Sequence, residues 1–234
     1  IAYEYVPGRT LRHELRAGLG DEAALEAAAQ VLEALAFAHA SGIVHRDVKP
    51  SNVLVAESDE ISVRLFDFGL AQLAGADTLT ATGDVPGTLA YIAPERLAGE
   101  PAGPAADVWA VGVLLWEALA GRHPFWKASP LETGRQIQLG APTLAEVRPD
   151  LPKRLIAGVD RALSIDHERR PTAAALSREL RCAFEERAQR KPRQALKIKM
   201  PRLGRLRRAG AAGSAALSAA WISATLPFYP PRWP

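Results

Sequence analysis

Residues 106–121 read ADVWAVGVLLWEALAG, and this stretch restricts the possible folds more than any other in the chain. Apolar side chains occupy nearly every position around a helical turn, so a helix here has no polar face to offer water. Other elements must enclose it on all sides. It ends at Gly121, the residue type that closes helices in the left-handed conformation. With 234 residues, 48% hydrophobic and 24% charged, the chain is long enough to wrap such a helix in one sizeable core or two small ones.

The surroundings of that helix can be sketched from periodicity and punctuation. IAYEYV (1–6) is a short β-favouring run ended by Pro7-Gly8. The pattern predicts a helix from Asp21 to Ala40, opened by acids and continued by Leu25, Val31, Leu32, Leu35 and Phe37 at helical spacing. NVLVA (52–56) and SVRLF (62–66) read as two short strands with ESDEI turning between them. Residues 67–93 lack periodicity and are rich in Gly, Thr and Asp, so they read as a long loop, and loops of that length in a compact domain are usually functional. Two or three amphipathic helices are expected over 129–186. No internal repeat is present.

Charge divides the chain unevenly. Residues 1–186 hold 18 Lys/Arg against 26 Asp/Glu, whereas 187–208 hold ten Lys/Arg and no acid. The net charge of +3 therefore belongs to one short basic segment, and the body is acidic. The single cysteine, Cys182, excludes an internal disulfide framework and suits a reducing compartment. Residue 1 is Ile and no signal-like region opens the chain, so the sequence is expected to begin inside a longer protein.

Between two strand-like runs lies IVHRDVKPSNVLV (43–55), which packs His45, Arg46, Asp47, Lys49 and Asn52 into one turn. Attack of a hydroxyl on a terminal phosphate needs a carboxylate to orient it and take its proton. The polyphosphate needs Mg²⁺, which prefers carboxylate and amide oxygens and keeps some water. A lysine beside the base neutralises charge building on the transferring group. Asp47, Asn52, Asp67 and Lys49 are candidates for those roles.

HRDVKPSN, followed by DFG (67–69) and APE (93–95), resembles the signature of eukaryotic-type serine/threonine protein kinases as found in bacteria. The six fixed letters of the first motif arise by chance with a probability on the order of 10⁻⁸ per position. The resemblance implies a protein-kinase-like α+β fold, here a mainly α-helical C-lobe with a small β-hairpin pair around the catalytic and DFG loops. Carried over by position, it implies that Asp47 is the catalytic base and that Asn52 and Asp67 hold Mg²⁺. Lys49 is the residue such kinases carry two places after the base. His45 and Phe68 resemble the lower half of a hydrophobic spine. Leu54 falls where an apolar side chain lies beneath the adenine of ATP. Val48 departs from the commoner Leu. Arg46 resembles an arginine that pairs with an activation-loop phosphate, with Thr80 and Thr82 the expected acceptors. Thr88 resembles a threonine that contacts the base and the lysine. Glu95 is expected to pair with Arg170 of ERRPTA, and Asp107 to hold the backbone of the His45–Arg46 turn.

YEYVPGRTL (3–11) resembles the hinge between kinase lobes, with Tyr3 as gatekeeper and the backbones of Glu4 and Val6 meeting the adenine. The resemblance covers about residues 1–186, the hinge and the C-lobe only. No G-x-G-x-x-G occurs in the chain, so the 234 residues by themselves are expected to be inactive. The basic segment 187–208 and the Ala/Gly/Ser-rich 209–228, with the tail 229–234 behind it, resemble a juxtamembrane region and a spanning helix; the basic cluster obeys the positive-inside rule. The expected location is the cytoplasmic face of the cell membrane, with a cytoplasmic protein as the alternative. Protein substrates with Ser/Thr and self-association for autophosphorylation are the implied partners. Nucleic acid is not expected, because the basic residues lack interleaved aromatics. Two rival readings are a catalytically dead C-lobe serving as a scaffold and a small-molecule phosphotransferase of related fold. The intact Asp47, Asn52 and Asp67 argue against the first, and the segment GTLAYIAPE (87–95) against the second.

Overall fold

In the computed structural model the described residues are 5–58, 60–68 and 89–190, with side chains through 183. The all-apolar stretch forms helix α4 (Pro104–Ala120), which is buried almost continuously from Ala106 to Trp116 and closes at Gly121 with φ 69°. Its enclosure comes from α2 (Asp21–Ala40) on one side and α6 (Lys153–Ala162) on another. Gly112 permits the second approach: a Cβ there would lie 3.1 Å from Ala162 Cβ and from Leu163. Helix α7 (Ala173–Arg190) packs along α2, where Ser177 donates to the Ala29 carbonyl at 3.2 Å. Thus α7 runs four residues into the segment expected to be a basic arm from 187.

Helix α2 has the expected bounds, and its acids Asp21 and Glu22 sit in the first turn where the helix dipole favours them. One side chain falls on the wrong face. Phe37 is 80% exposed, because it lies about 200° around the helix from buried Leu35.

A three-stranded antiparallel sheet in the order β1-β2-β3 sits beside the helices, formed by β1 (Gly8–Thr10), β2 (Val53–Ala56) and β3 (Val63–Leu65). The two expected strands are β2 and β3. The first differs: residues 5–7 form no strand, and pairing begins at Gly8, just past the proline that lacks an N–H to donate. Close approach requires the glycine, since a Cβ at Gly8 would stand 2.2 Å from the Val55 carbonyl oxygen. The outer edge of β3 is covered by Gln30 of α2. Its amide donates to Ile61 O at 2.7 Å and accepts from Val63 N–H at 3.0 Å, as a neighbouring strand would.

Helix α1 (Leu11–Ala17) follows β1 directly and was not legible as a helix. Its buried Leu11 anchors it, and it packs on the 3₁₀ turn Pro50–Asn52 and on β2. Among the described residues the remaining α-helices are α3 (Pro94–Leu97) and α5 (Pro130–Leu139). Three amphipathic helices, α5, α6 and α7, fill the region where two or three were expected.

Candidate active site

The 43–55 stretch forms the floor of a site because buried groups hold its turn from beneath. Asp107, in the first turn of α4, is 1% exposed and accepts from two backbone N–H groups, those of His45 at 2.9 Å and Arg46 at 2.8 Å. His39 Nε2 lies 2.8 Å from the same carboxylate. This hold allows Arg46 a φ of 72°, a conformation non-glycine residues seldom adopt and which concentrates at functional sites. Asp67 shows the same feature with φ 61°.

His45 is fully buried and joins the two loops. Its Nε2 lies 2.9 Å from the Phe66 carbonyl, its Nδ1 accepts from Asp47 N–H at 3.3 Å, and its ring meets Phe68 at 4.5 Å between centroids. Those two bonds use the imidazole with its proton on Nε2. The Phe66 N–H donates to Asn52 O at 3.1 Å, which seats the Asp67 turn against the 3₁₀ turn.

On that floor, the Asp47 carboxylate is 38% exposed and faces outward. Its Oδ2 takes the Lys49 ammonium at 2.8 Å and the Asn52 amide N–H at 2.9 Å. Asn52, nearly buried, also donates to the Asp47 backbone carbonyl at 2.8 Å. Both of its bonds use the amide nitrogen, which orients Oδ1 as the atom left for a hard cation. Asp67 is exposed on the adjoining turn, and Leu54 lies on the face of β2 opposite buried Val53. Val6 is half-buried just before β1. Arg46 is exposed and has a polar partner. Glu4, Tyr3, Thr80, Thr82 and Thr88 lie outside the described residues.

Two clusters fix the chain that returns from the Asp67 loop. Glu95 meets Arg170 in a two-point ion pair at 2.7 and 2.8 Å. Arg170 also donates to the carbonyls of Ser164 and Ala105 and covers the Trp109 ring at 4.9 Å. Burial pushes the Glu95 carboxyl up, but the Arg170 hydrogen bonds and charge outweigh it and hold the group below its ordinary 4.5. The second cluster joins Arg12, Tyr91 and Glu117. Arg12 donates to the Tyr91 hydroxyl at 2.8 Å and to Glu117 at 3.0 Å, and that hydroxyl donates to the other oxygen of Glu117. Burial first, then the Glu117 charge, raise the Tyr91 phenol well above its usual value. The His123 ring packs edge-on against Tyr91, and burial with the Arg12 charge lowers it to about 4. Arg12, Glu117 and His123 were not singled out in the sequence. Only Tyr91 carried a signal, its place inside GTLAYIAPE.

A mainly helical lobe beside a small antiparallel sheet thus presents a partly exposed Asp–Lys–Asn turn next to a second exposed Asp, an arrangement whose carboxylates, amide and ammonium are suited to phosphoryl chemistry. A family model described as protein kinase domain matches residues 1–180, and the chain belongs to that family. Among curated relatives it is 39% identical over 188 residues to serine/threonine-protein kinase PkaA of Streptomyces coelicolor, covering 79% of this chain and 34% of that protein. It is 33% identical over 189 residues to serine/threonine-protein kinase PrkC of Bacillus subtilis, covering 79% of this chain and 29% of that one. The chain thus spans about a third of the length of these relatives. Among solved structures it resembles the crystal structure of Rad53 1-466 in complex with AMP-PNP, with TM-score 0.61 and 30% identity, covering 75% of this chain and 44% of that one.

Proposed function

We propose that this chain supplies the catalytic floor of a serine/threonine protein kinase, which transfers the γ-phosphoryl of ATP to Ser/Thr hydroxyls of proteins. The carrying observation is the outward Asp47 carboxylate, engaged at once by Lys49 and Asn52 on a turn that Asp107 holds from below. The names of the curated relatives support the acceptor class, and the Rad53 structure, solved in complex with AMP-PNP, supports the nucleotide.

The acceptor hydroxyl sits against Asp47, which orients it and takes its proton as the new O–P bond forms and the bond to the ADP oxygen breaks. Lys49 offsets charge on the transferring group. Family members in general use Mg²⁺, and the residues fit it. Asn52, whose two bonds use its amide nitrogen and leave Oδ1, and the exposed Asp67 offer the hard oxygen donors it prefers. Bound there, Mg²⁺ would neutralise the phosphates. Leu54, with Val6 and the backbone of Glu4, forms the adenine contact. The acceptor chain lies along 87–95. Arg46 reads phosphate on Thr80 or Thr82, placed by a second copy of the kinase during autophosphorylation. Tethering to the cytoplasmic face of the membrane through 209–228 belongs to the same proposal.

Radiolabel transfer from γ-labelled ATP tests the central assignment in the protein that carries this chain. Asp47→Asn is expected to reduce labelling by about 10²–10⁴-fold and Asp67→Ala to abolish it. The 234 residues alone, which hold no G-x-G-x-x-G, are expected to give no label. Undiminished labelling by Asp47→Asn rejects the assignment of the base. An unlabelled wild type favours the scaffold reading.

A further inference from the structure

We propose that Arg12 is a positioning residue for the acceptor substrate, acting through Tyr91 and Glu117. This rests on the kinase reading and extends it to a residue outside the signature motifs.

The Arg12–Tyr91–Glu117 ring joins three elements that are distant in sequence. Arg12 belongs to α1, which packs on the 3₁₀ turn holding Asn52. Tyr91 belongs to the segment that leads from the Asp67 loop into α3. Glu117 sits on α4, ten residues beyond Asp107, and ten residues of helix span about 15 Å. One rigid helix therefore holds the Asp47 turn at its first turn and this ring near its last. Tyr91 is 4% exposed, which favours a partner from the lobe itself for its hydroxyl. Arg12 supplies that partner and crosses the ring face at 5.5 Å, while His123 packs on the ring from the edge at 5.1 Å. The two-point donation from one guanidinium sets the separation of Tyr91 and Glu117, a geometry that a lysine ammonium does not reproduce. Four residues after Tyr91, Glu95 is held by Arg170. The Glu95 pair fastens the far end of the acceptor segment to the lobe, and Arg12 fastens its middle, at Tyr91, to the elements beneath Asn52.

The position of Asp47 itself does not depend on Arg12, because Asp107, Asn52 and Lys49 hold it. Loss of the guanidinium should therefore misplace the acceptor and spare the nucleotide.

The test compares Arg12→Met, Arg12→Lys and Tyr91→Phe in the complete protein, with casein as acceptor. Arg12→Met is expected to raise KM for casein about tenfold, with KM for ATP and kcat within about twofold of wild type. Arg12→Lys should restore only part of the loss. Tyr91→Phe combined with Arg12→Met should cost little more than either alone, since both break one ring. Equal losses in both KM values, an unchanged KM for casein, or fully additive effects overturn the proposal. A readout independent of activity separates it from the kinase reading. Tyrosinate absorbance, assigned by the Tyr91→Phe difference, should place the Tyr91 titration above that of free tyrosine in wild type and higher still in Arg12→Met. If Arg12→Met leaves the Tyr91 titration where it is in wild type, the ring is not formed and the proposal fails, whatever the activity. If Arg12→Met raises the titration further but the wild type labels no acceptor, the ring stands and the kinase reading fails.

Discussion

Asp107 and Arg170 each satisfy several buried groups with one ionic side chain, and the rest of the site depends on them. Asp107 accepts from the two amides that define the His45–Arg46 turn. Arg170 has a fully buried side chain, and Glu95, its partner, is 9% exposed. Removing one member of such a pair leaves the other charge without compensation, so Arg170→Met is expected to cost about 3–5 kcal/mol of stability. The pH dependence follows from the lowered Glu95 carboxyl. A group held below its unfolded value stabilises the fold above that value, and the benefit is lost as pH falls from about 4.5 through the lowered folded value. In Arg170→Met the guanidinium no longer offsets burial, which raises the Glu95 pKa, so stability should fall less steeply, or rise, across the same acid range. Urea denaturation of both proteins from pH 7 to pH 3 measures the difference; parallel curves would show that Glu95 contributes nothing through Arg170.

Among the elements, the small sheet has the least margin. Its first strand is three residues long and approaches β2 so closely that a methyl at Gly8 would collide with the Val55 carbonyl. That neighbour is backbone and cannot rotate away. Gly8→Ala is therefore expected to cost about 1–3 kcal/mol and to loosen the β1–β2 pairing. Hydrogen exchange of the β1 and β2 amides should quicken by tenfold or more while α2 and α4 keep their protection. Unchanged exchange in β1 would mean that the strands separate without cost. If Leu54 meets the nucleotide as proposed, the variant should weaken that contact before it disturbs Asp47. Phe37 shows the converse case, an apolar side chain on a helix that its own lobe leaves exposed. With Ala34, Ala38, Ser41, Ile43 and Phe68 it lines a cavity of about 470 Å³ that reaches the ring packed on His45.

At the scale of the whole molecule, charge is segregated: the acidic body precedes a basic stretch and then the uncharged 209–228. No helix among the described residues is long and apolar enough to cross a membrane, and 209–228 lies outside them. If 209–228 spans a bilayer, deleting it should move the protein from the membrane fraction to the soluble fraction of lysed cells. Deleting 191–208 alone should leave it in the membrane with altered orientation, because basic residues flanking a span set its direction. Recovery of the intact protein in the soluble fraction would reject the tether.

The sequence by itself determined what depends on local periodicity and fixed spacing. Helices α2 and α4 were legible because each holds an apolar pattern over four or more turns, and the Asp47–Lys49–Asn52 turn because its letters are too specific to arise by chance. The family followed from those letters, as the match over residues 1–180 shows. Tertiary structure decided the rest, where the deciding contact crosses long stretches of chain. Seven-residue α1 is too short to show its own period, and packing on the 3₁₀ turn stabilises it. Strand β1 exists only because β2, more than forty residues away, supplies its partner. Arg12 meets Tyr91 and Glu117 across separations of 79 and 105 residues, and nothing local marks it apart from any surface arginine. Spacing along a chain records which side chains share a turn, whereas a hydrogen bond between distant elements is set by the packing of everything between them.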